Sequence, residues 1–197
     1  MLFTFNTMEN LIKDIKSCTL CANSLPYAPK PIFSFVKDSK ILIIGQAPGQ
    51  KVQDSGIPWN DASGKELRRW LNVSDEEFYN PKNFAIVPMG FCFPGTAKGG
   101  DLPPRPECAP KWHTQIHAEL KNIQLILLIG KYAHNYYLPK SKKPTLTENV
   151  QQAEIFLPQY FPLVHPSPRN KIWHKRNPWF ENEKLPLLQQ LVKSILK

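Results

Sequence analysis

One stretch, from Ile41 to Leu71, limits what this chain can fold into. It opens with Ile41-Leu42-Ile43-Ile44, a β-branched apolar run of the kind that forms a strand buried on both faces. Gly45, Pro48 and Gly49 break that strand into a loop. The loop carries Gln46, Gln50, Gln53 and Asp54 up to a turn at Gly56-Ile57-Pro58 and the aromatic Trp59. Ser63, with Glu66 three residues on, has the spacing of a capping box and predicts a helix running to Leu71. Strand, glycine-rich loop and helix is how α/β proteins build ligand sites, because loop amides and a helix N-terminus point the same way. The same glycines and prolines also make plain turns, so the pattern alone marks a place and names no ligand.

The rest of the chain alternates in the same manner. Leu11, Ile12 and Ile15 fall at helical spacing within residues 8–17, and a proline-rich loop covers 22–39. Ser74 with Glu77 predicts another short helical turn, and Phe84-Ala85-Ile86-Val87 a second strand ended by Pro88. An irregular segment spans Met89 to Pro106, followed by a helix to about Leu120 and a third buried strand from Gln124 to Ile129. Lys131 to Tyr137 reads as helix, then a basic loop (Lys140, Lys142, Lys143), then a helix from Thr147. Phe161 to Val164 is a last short strand leading into His165-Pro166-Ser167-Pro168-Arg169-Asn170, and a helix from Asn182 to Leu196 ends the chain. Strands alternating with helices predict an α/β fold: one domain over 1–197, with a mainly parallel central sheet and helices on both faces. In such folds the site lies beyond the carboxyl ends of the strands. Three loops should meet there: Gly45–Trp59, Pro88–Gly95 and His165–Asn170.

Composition narrows the partners. The net charge of +9 points to a polyanion, since positive surface gains affinity by releasing counterions from phosphates. Basic residues set among aromatics, as in Lys171-Ile172-Trp173-His174-Lys175-Arg176, favour nucleic acid over mere solubility. No apolar run reaches the ~20 residues a membrane span needs. The N-terminal residues show no basic region leading into an apolar stretch and small-residue cleavage site, so a cytoplasmic protein is expected. The 20 prolines predict long, stiffened loops.

The four cysteines stand as Cys18-x2-Cys21 and Cys92-x15-Cys108. A cytosolic chain keeps thiols reduced, so disulfides are not expected. Four thiolates in two pairs suit tetrahedral zinc or a [4Fe–4S] cluster equally, and unrelated buried thiols are the plain alternative. His113 and His117 stand at i, i+4 without the carboxylate of a zinc-binding helix, and read as a helix face.

At this point the residues resemble a family. Gly45-Gln46-Ala47-Pro48-Gly49, seven further residues ending in Gly56, then Ile57-Pro58-Trp59, resembles the first motif of the uracil-DNA glycosylase superfamily in its iron–sulfur (family 4) branch. The counterpart there is Gly-Glu-Ala/Gly-Pro-Gly followed by Gly-x-Pro-Phe. The spacing of Cys18, Cys21, Cys92 and Cys108 resembles that branch's cluster ligands. The segment His165 to Asn170 is closer to the second motif of the single-strand-selective monofunctional uracil glycosylases. The resemblance implies an enzyme that flips a damaged base out of DNA and hydrolyses its N-glycosidic bond. It implies stacking of the base on Trp59, with the backbone of Gln46 and Ala47 near the base edge. His165 would hydrogen-bond the anion developing on the base O2, and Pro166 to Asn170 would enter the minor groove, with Ser167 on phosphates and Pro168-Arg169 as wedge. It also implies a structural [4Fe–4S] cluster and a monomer acting on DNA, in the cytoplasm or on the nucleoid of a bacterial cell.

Two departures bear on activity. Gln46 and Ala47 replace the Glu or Asn with which relatives position water; the nearest carboxylates are Asp54 and Asp61, of which Asp61 is taken as the water-orienting group, with the Gln46 amide able to orient a water as well. Pro88 replaces an Asn that reads the uracil edge, so either the substrate is a base other than uracil or the backbone around Met89 and Gly90 reads it. A DNA-binding relative without turnover is therefore the alternative reading. A zinc-stabilised α/β enzyme acting on a nucleotide is the third.

Overall fold

The computed structural model describes residues 8–139 and 145–197; the basic loop at Lys140, Lys142 and Lys143 lies outside the described residues, as do the first seven. The strands are β1 (Ile41–Ile44), β2 (Phe84–Ile86), β3 (Thr96–Ala97), β4 (Gly100–Asp101), β5 (Leu125–Ile129) and β6 (Tyr160–Leu163). The helices are α1 (Met8–Lys16), α2 (Gln50–Ser55), α3 (Ala62–Leu71), α4 (Asp75–Tyr79), α5 (Cys108–Glu119), α6 (Lys131–Tyr137), α7 (Leu146–Gln151), α8 (Lys171–Arg176) and α9 (Leu185–Leu196).

The central sheet has the order β2-β1-β5-β6, and every pairing in it is parallel. β1 and β5 are buried at every residue, as apolar runs covered on both sides must be. The alternation of side chains sorts them into two cores. Ile41, Ile43, Phe84, Leu125, Leu127 and Phe161 face α3, α7 and α9, whereas Leu42, Ile44, Ala85, Ile126 and Leu128 face α1, α5 and α6. The chain leaves β1 towards β2 on one side and later returns to β5 on the other. Such a reversal opens a crevice at the carboxyl rim of the sheet.

Three local expectations are corrected. Asp61, not Ser63, caps α3: its Oδ1 accepts from the Gly64 amide at 2.8 Å in an extended N-cap conformation, so the helix starts one residue before Ser63. Glu66 does not reach back but accepts from Arg69 and from Trp70 Nε1. The loop after β1 contains α2, and the irregular 89–106 segment contains the β3–β4 hairpin, turned at Lys98-Gly99. The capping box at Ser74 and Glu77 is present, and Thr145 with Glu148 forms a second one before α7. In α8 the basic and aromatic side chains part company. Lys171, Lys175 and Arg176 are exposed, while Trp173 donates to Thr147 Oγ1 at 2.9 Å and packs edge-on against Trp179 and Phe180.

His113 and His117 are no plain helix face either. His113 Nε2 donates to the Pro88 carbonyl at 3.1 Å, so its Nδ1 accepts from Tyr137 Oη at 2.6 Å, and His117 Nε2 donates to the same oxygen at 3.0 Å. His134 Nε2 lies 3.0 and 3.1 Å from the carbonyls of Leu128 and Leu163, joining α6 to the ends of two strands. Burial pushes the pKa of both His113 and His134 down to about 4, so the fold holds these imidazoles neutral. Above pH 6.5 neither the folded nor the unfolded chain protonates them, and stability does not depend on them. Between about 6.5 and 4 the unfolded chain takes up protons that the fold refuses, so stability should fall as the pH is lowered, by on the order of 3 kcal/mol per histidine. Urea unfolding midpoints at pH 7, 6, 5 and 4 test this; a flat profile would contradict it.

Candidate active site

At the carboxyl rim a cleft of about 460 Å³ opens, within the range of small-molecule sites. Parallel strands deliver its walls. The Gly45–Gly49 turn follows β1, Ile86 and Pro88 come from β2, and His165, Ser167, Pro168 and Arg169 follow β6. Pro58, Trp59 and the start of α3 from Asp61 to Ser63 also line it, as do Gly99 to Asp101 of the hairpin.

Trp59 is seated by an absence of side chains. A Cβ on Gly45 would stand 2.8 Å from Trp59 Cζ2, and one on Gly64 would run into the Trp59 carbonyl oxygen. Trp59 itself adopts φ +57°, a left-handed conformation that an L residue holds only at a cost of about 1–2 kcal/mol. Half-buried, the indole packs on the core with one edge and lines the cleft with the rest. Its ring centre lies 5.7 Å from that of His165, with 32° between the planes. A flat ring sandwiched between them would need about 7 Å, given carbon contacts near 3.5 Å. The two rings thus leave no room for a flat ring sandwiched between them, only for one lying over one ring with the other at its edge.

Burial lowers the pKa of His165, with the Asp61 carboxylate opposing, so a neutral imidazole faces the cleft. The Asn170 side-chain amide donates to the His165 carbonyl at 2.7 Å, and Ser167 Oγ accepts from the Arg169 amide at 3.2 Å; together they fix the loop. Arg169 Nη1 donates to the Gly99 carbonyl at 3.1 Å, joining two residues that both line the cleft.

Of the residues expected here, Gln46, Ala47, Trp59, Asp61, His165, Ser167, Pro168 and Arg169 share this one cleft. Pro166 is buried beneath the loop, and Asn170 braces it from behind. Met89 and Gly90 are a correction. Their amides donate to the carbonyls of Gly45 and Gln46 at 2.9 and 3.0 Å, continuing the strand pairing, and neither residue lines the cleft. Pro88 does line it, but has no N–H, and its carbonyl is turned to His113. The Gln46 side-chain amide donates to the Leu102 carbonyl at 3.2 Å, which leaves its oxygen as the free end. Sequence reasoning missed Ser63 as a lining residue, and Asp101, whose pKa burial raises while Arg169 opposes. The Lys98-Gly99-Gly100 run was the signal for the hairpin that carries Asp101.

A second, much smaller cavity brings Cys18, Cys21, Cys92 and Cys108 together with Pro29, Pro31, Phe91 and Trp112. None of the four is in a disulfide. The Phe91 amide donates to Cys108 Sγ at 3.4 Å, and burial pushes the Cys92 and Cys108 thiols up to about 11 and 12. Among the described residues no three or more His, Cys, Asp or Glu side chains are drawn around one point as the ligands of a single metal ion would be. Nor is any described helix long and apolar enough to cross a membrane.

A parallel sheet covered on both faces, with an indole and an imidazole lining a cleft at its carboxyl rim, defines the class of this α/β protein. The family model of the uracil DNA glycosylase superfamily matches residues 33–189, and the chain belongs to that superfamily. Its general activity is thus of the glycosylase type, directed at DNA.

The seat of Trp59 is testable. Gly45→Ala should displace the indole, costing about 1–3 kcal/mol by overpacking, and should shift the indole N–H resonance of Trp59 in NMR spectra. An unmoved resonance with unchanged stability would show that the contact with Gly45 does not seat the ring.

Proposed function

We propose that the protein is a monofunctional DNA glycosylase that takes a deaminated base, uracil foremost, into the cleft and hydrolyses its N-glycosidic bond. The observation that carries this reading is the shared cleft of Trp59 and His165, with ring centres 5.7 Å apart. The base lies on the indole, and the neutral imidazole donates to its O2 as the C1′–N1 bond breaks and the electron pair moves onto the base. Water adds to C1′ and loses a proton; Asp61, with one oxygen engaged by Gly64, has the other to orient that water, beside the free oxygen of Gln46. The exposed cations Arg169, Lys171, Lys175 and Arg176 supply phosphate contacts. The enzyme acts as a monomer, in the cytoplasm or on the bacterial nucleoid. His165→Ala should lower single-turnover release of uracil from oligonucleotides by about 100- to 1,000-fold, and Trp59→Ala by about 5- to 150-fold. The binding-only reading draws on one observation, the Gln46 amide held by Leu102 where relatives place a group that positions water. Salt-sensitive DNA binding by a wild-type protein that releases no deaminated base would select it.

We further propose that the four cysteines hold a structural [4Fe–4S] cluster. Support comes from their convergence on one cavity, an all-sulfur donor set and an amide donated to Cys108 Sγ, as cluster sulfurs receive. Zinc is the other metal such a set accepts. When bound, the cluster supplies a cross-link and no chemistry to the hydrolysis: Cys18 and Cys21 follow α1, Cys92 lies in the segment after β2, and Cys108 begins α5. Cys108→Ser should abolish bound iron and lower the melting temperature before it lowers excision by the protein that remains folded. Iron-free, zinc-loaded protein would reverse the choice of metal.

A further inference from the structure

The N-terminal turn of α3 forms part of the cleft wall, and apart from Asp61 its polar groups have no task in the mechanism above. Asp61 Oδ1 takes the Gly64 amide, the third of the helix, while the Ala62 and Ser63 amides at the first two positions have no acceptor within the helix. Ser63 lines the cleft at 9 % exposure, and no hydrogen bond among the described residues engages its hydroxyl. A hydroxyl on a residue this buried, with no protein partner and the cleft beside it, suits a polar ligand atom that enters there. Trp59 is four residues earlier, and the missing side chain of Gly64 lets the Trp59 carbonyl close directly onto this turn. The groups suited to phosphates, Arg169 and Lys51, are exposed and line the cleft from the outside. Pro88 meanwhile offers the base neither donor nor free acceptor.

Resting on the glycosylase reading, we propose that Ser63, with the free amides at the start of α3, receives a carbonyl oxygen of the flipped base and stabilises the negative charge that gathers there. Breaking C1′–N1 leaves the bonding pair on the base, where it spreads over the ring nitrogens and both carbonyl oxygens. His165 serves one oxygen and the α3 turn the other. The water that adds to C1′ supplies the proton that finally neutralises the base. Ser63 is then a catalytic residue that the first motif does not contain, and part of what Pro88 fails to provide comes from the start of α3.

The experiment compares wild type, Ser63→Ala and the hydroxyl-retaining Ser63→Thr in single-turnover excision of uracil and 5-fluorouracil from otherwise identical oligonucleotides, with melting temperature and DNA affinity measured alongside. Ser63→Ala should excise uracil about 10- to 100-fold more slowly at unchanged DNA affinity and melting temperature. The loss should be smaller for 5-fluorouracil, whose fluorine already stabilises the anion, and Ser63→Thr should recover most of the rate. An active wild type with Ser63→Ala within twofold of it overturns this inference and leaves the glycosylase reading standing. A loss equal for both bases, or one that tracks a lowered melting temperature, also overturns it. A wild type that releases neither base overturns the glycosylase reading itself, and this inference with it.

Discussion

The cleft depends on two places where no side chain stands. Gly45 ends β1 under the edge of the Trp59 indole, and Gly64 lies against the Trp59 carbonyl as α3 begins. Between them the chain turns so tightly that Trp59 takes a left-handed conformation. Such strain persists only where the surroundings over-determine it, and here they do. The buried first strand holds one side of the ring, and the capped helix, anchored by Leu67 and Trp70 in the core, holds the other. The stability of the sheet is thereby converted into the fixed position of one aromatic surface.

The parallel sheet then does the gathering. All four strands point their carboxyl ends at one rim, so residues more than a hundred positions apart in sequence, Trp59 and His165 among them, line a single space. Behind that space the polar groups of the backbone are consumed in order. Met89 and Gly90 amides satisfy Gly45 and Gln46, the Pro88 carbonyl satisfies His113, and Tyr137 links His113 to His117. The backbone groups on this side are therefore already engaged, and the polar work of the cleft falls to its other residues.

Much of this was legible in the sequence. The β-branched run at Ile41–Ile44 and the apolar run ending at Ile129 announced strands buried on both faces, because period and burial leave such runs little choice. The two motifs placed Trp59 and His165 in one site. Where the reading failed, a local rule was overruled by a tertiary contact or a competing local bond. Ser63 has cap-like spacing to Glu66, but Asp61 sits two residues earlier with an oxygen already in reach of the Gly64 amide, and Trp70 draws Glu66 away. Met89 and Gly90 looked free because strand pairing that runs past the end of β2 leaves no mark in composition. In α8, basic residues beside aromatics favoured a nucleic-acid partner, and helical geometry leaves that part to the cations, which point outward while Trp173 turns inward. The hairpin and its Asp101 reach the cleft from a segment whose glycine-rich turn gives its shape but not its destination.

The hydrogen bond from Arg169 to the Gly99 carbonyl joins segments 70 residues apart, both of which line the cleft. Both ends are exposed, so the bond is worth little net. The guanidinium keeps its full charge whether or not that bond is made. The hairpin and the loop after β6 are thus held beside each other by a group that any stronger acceptor can draw away.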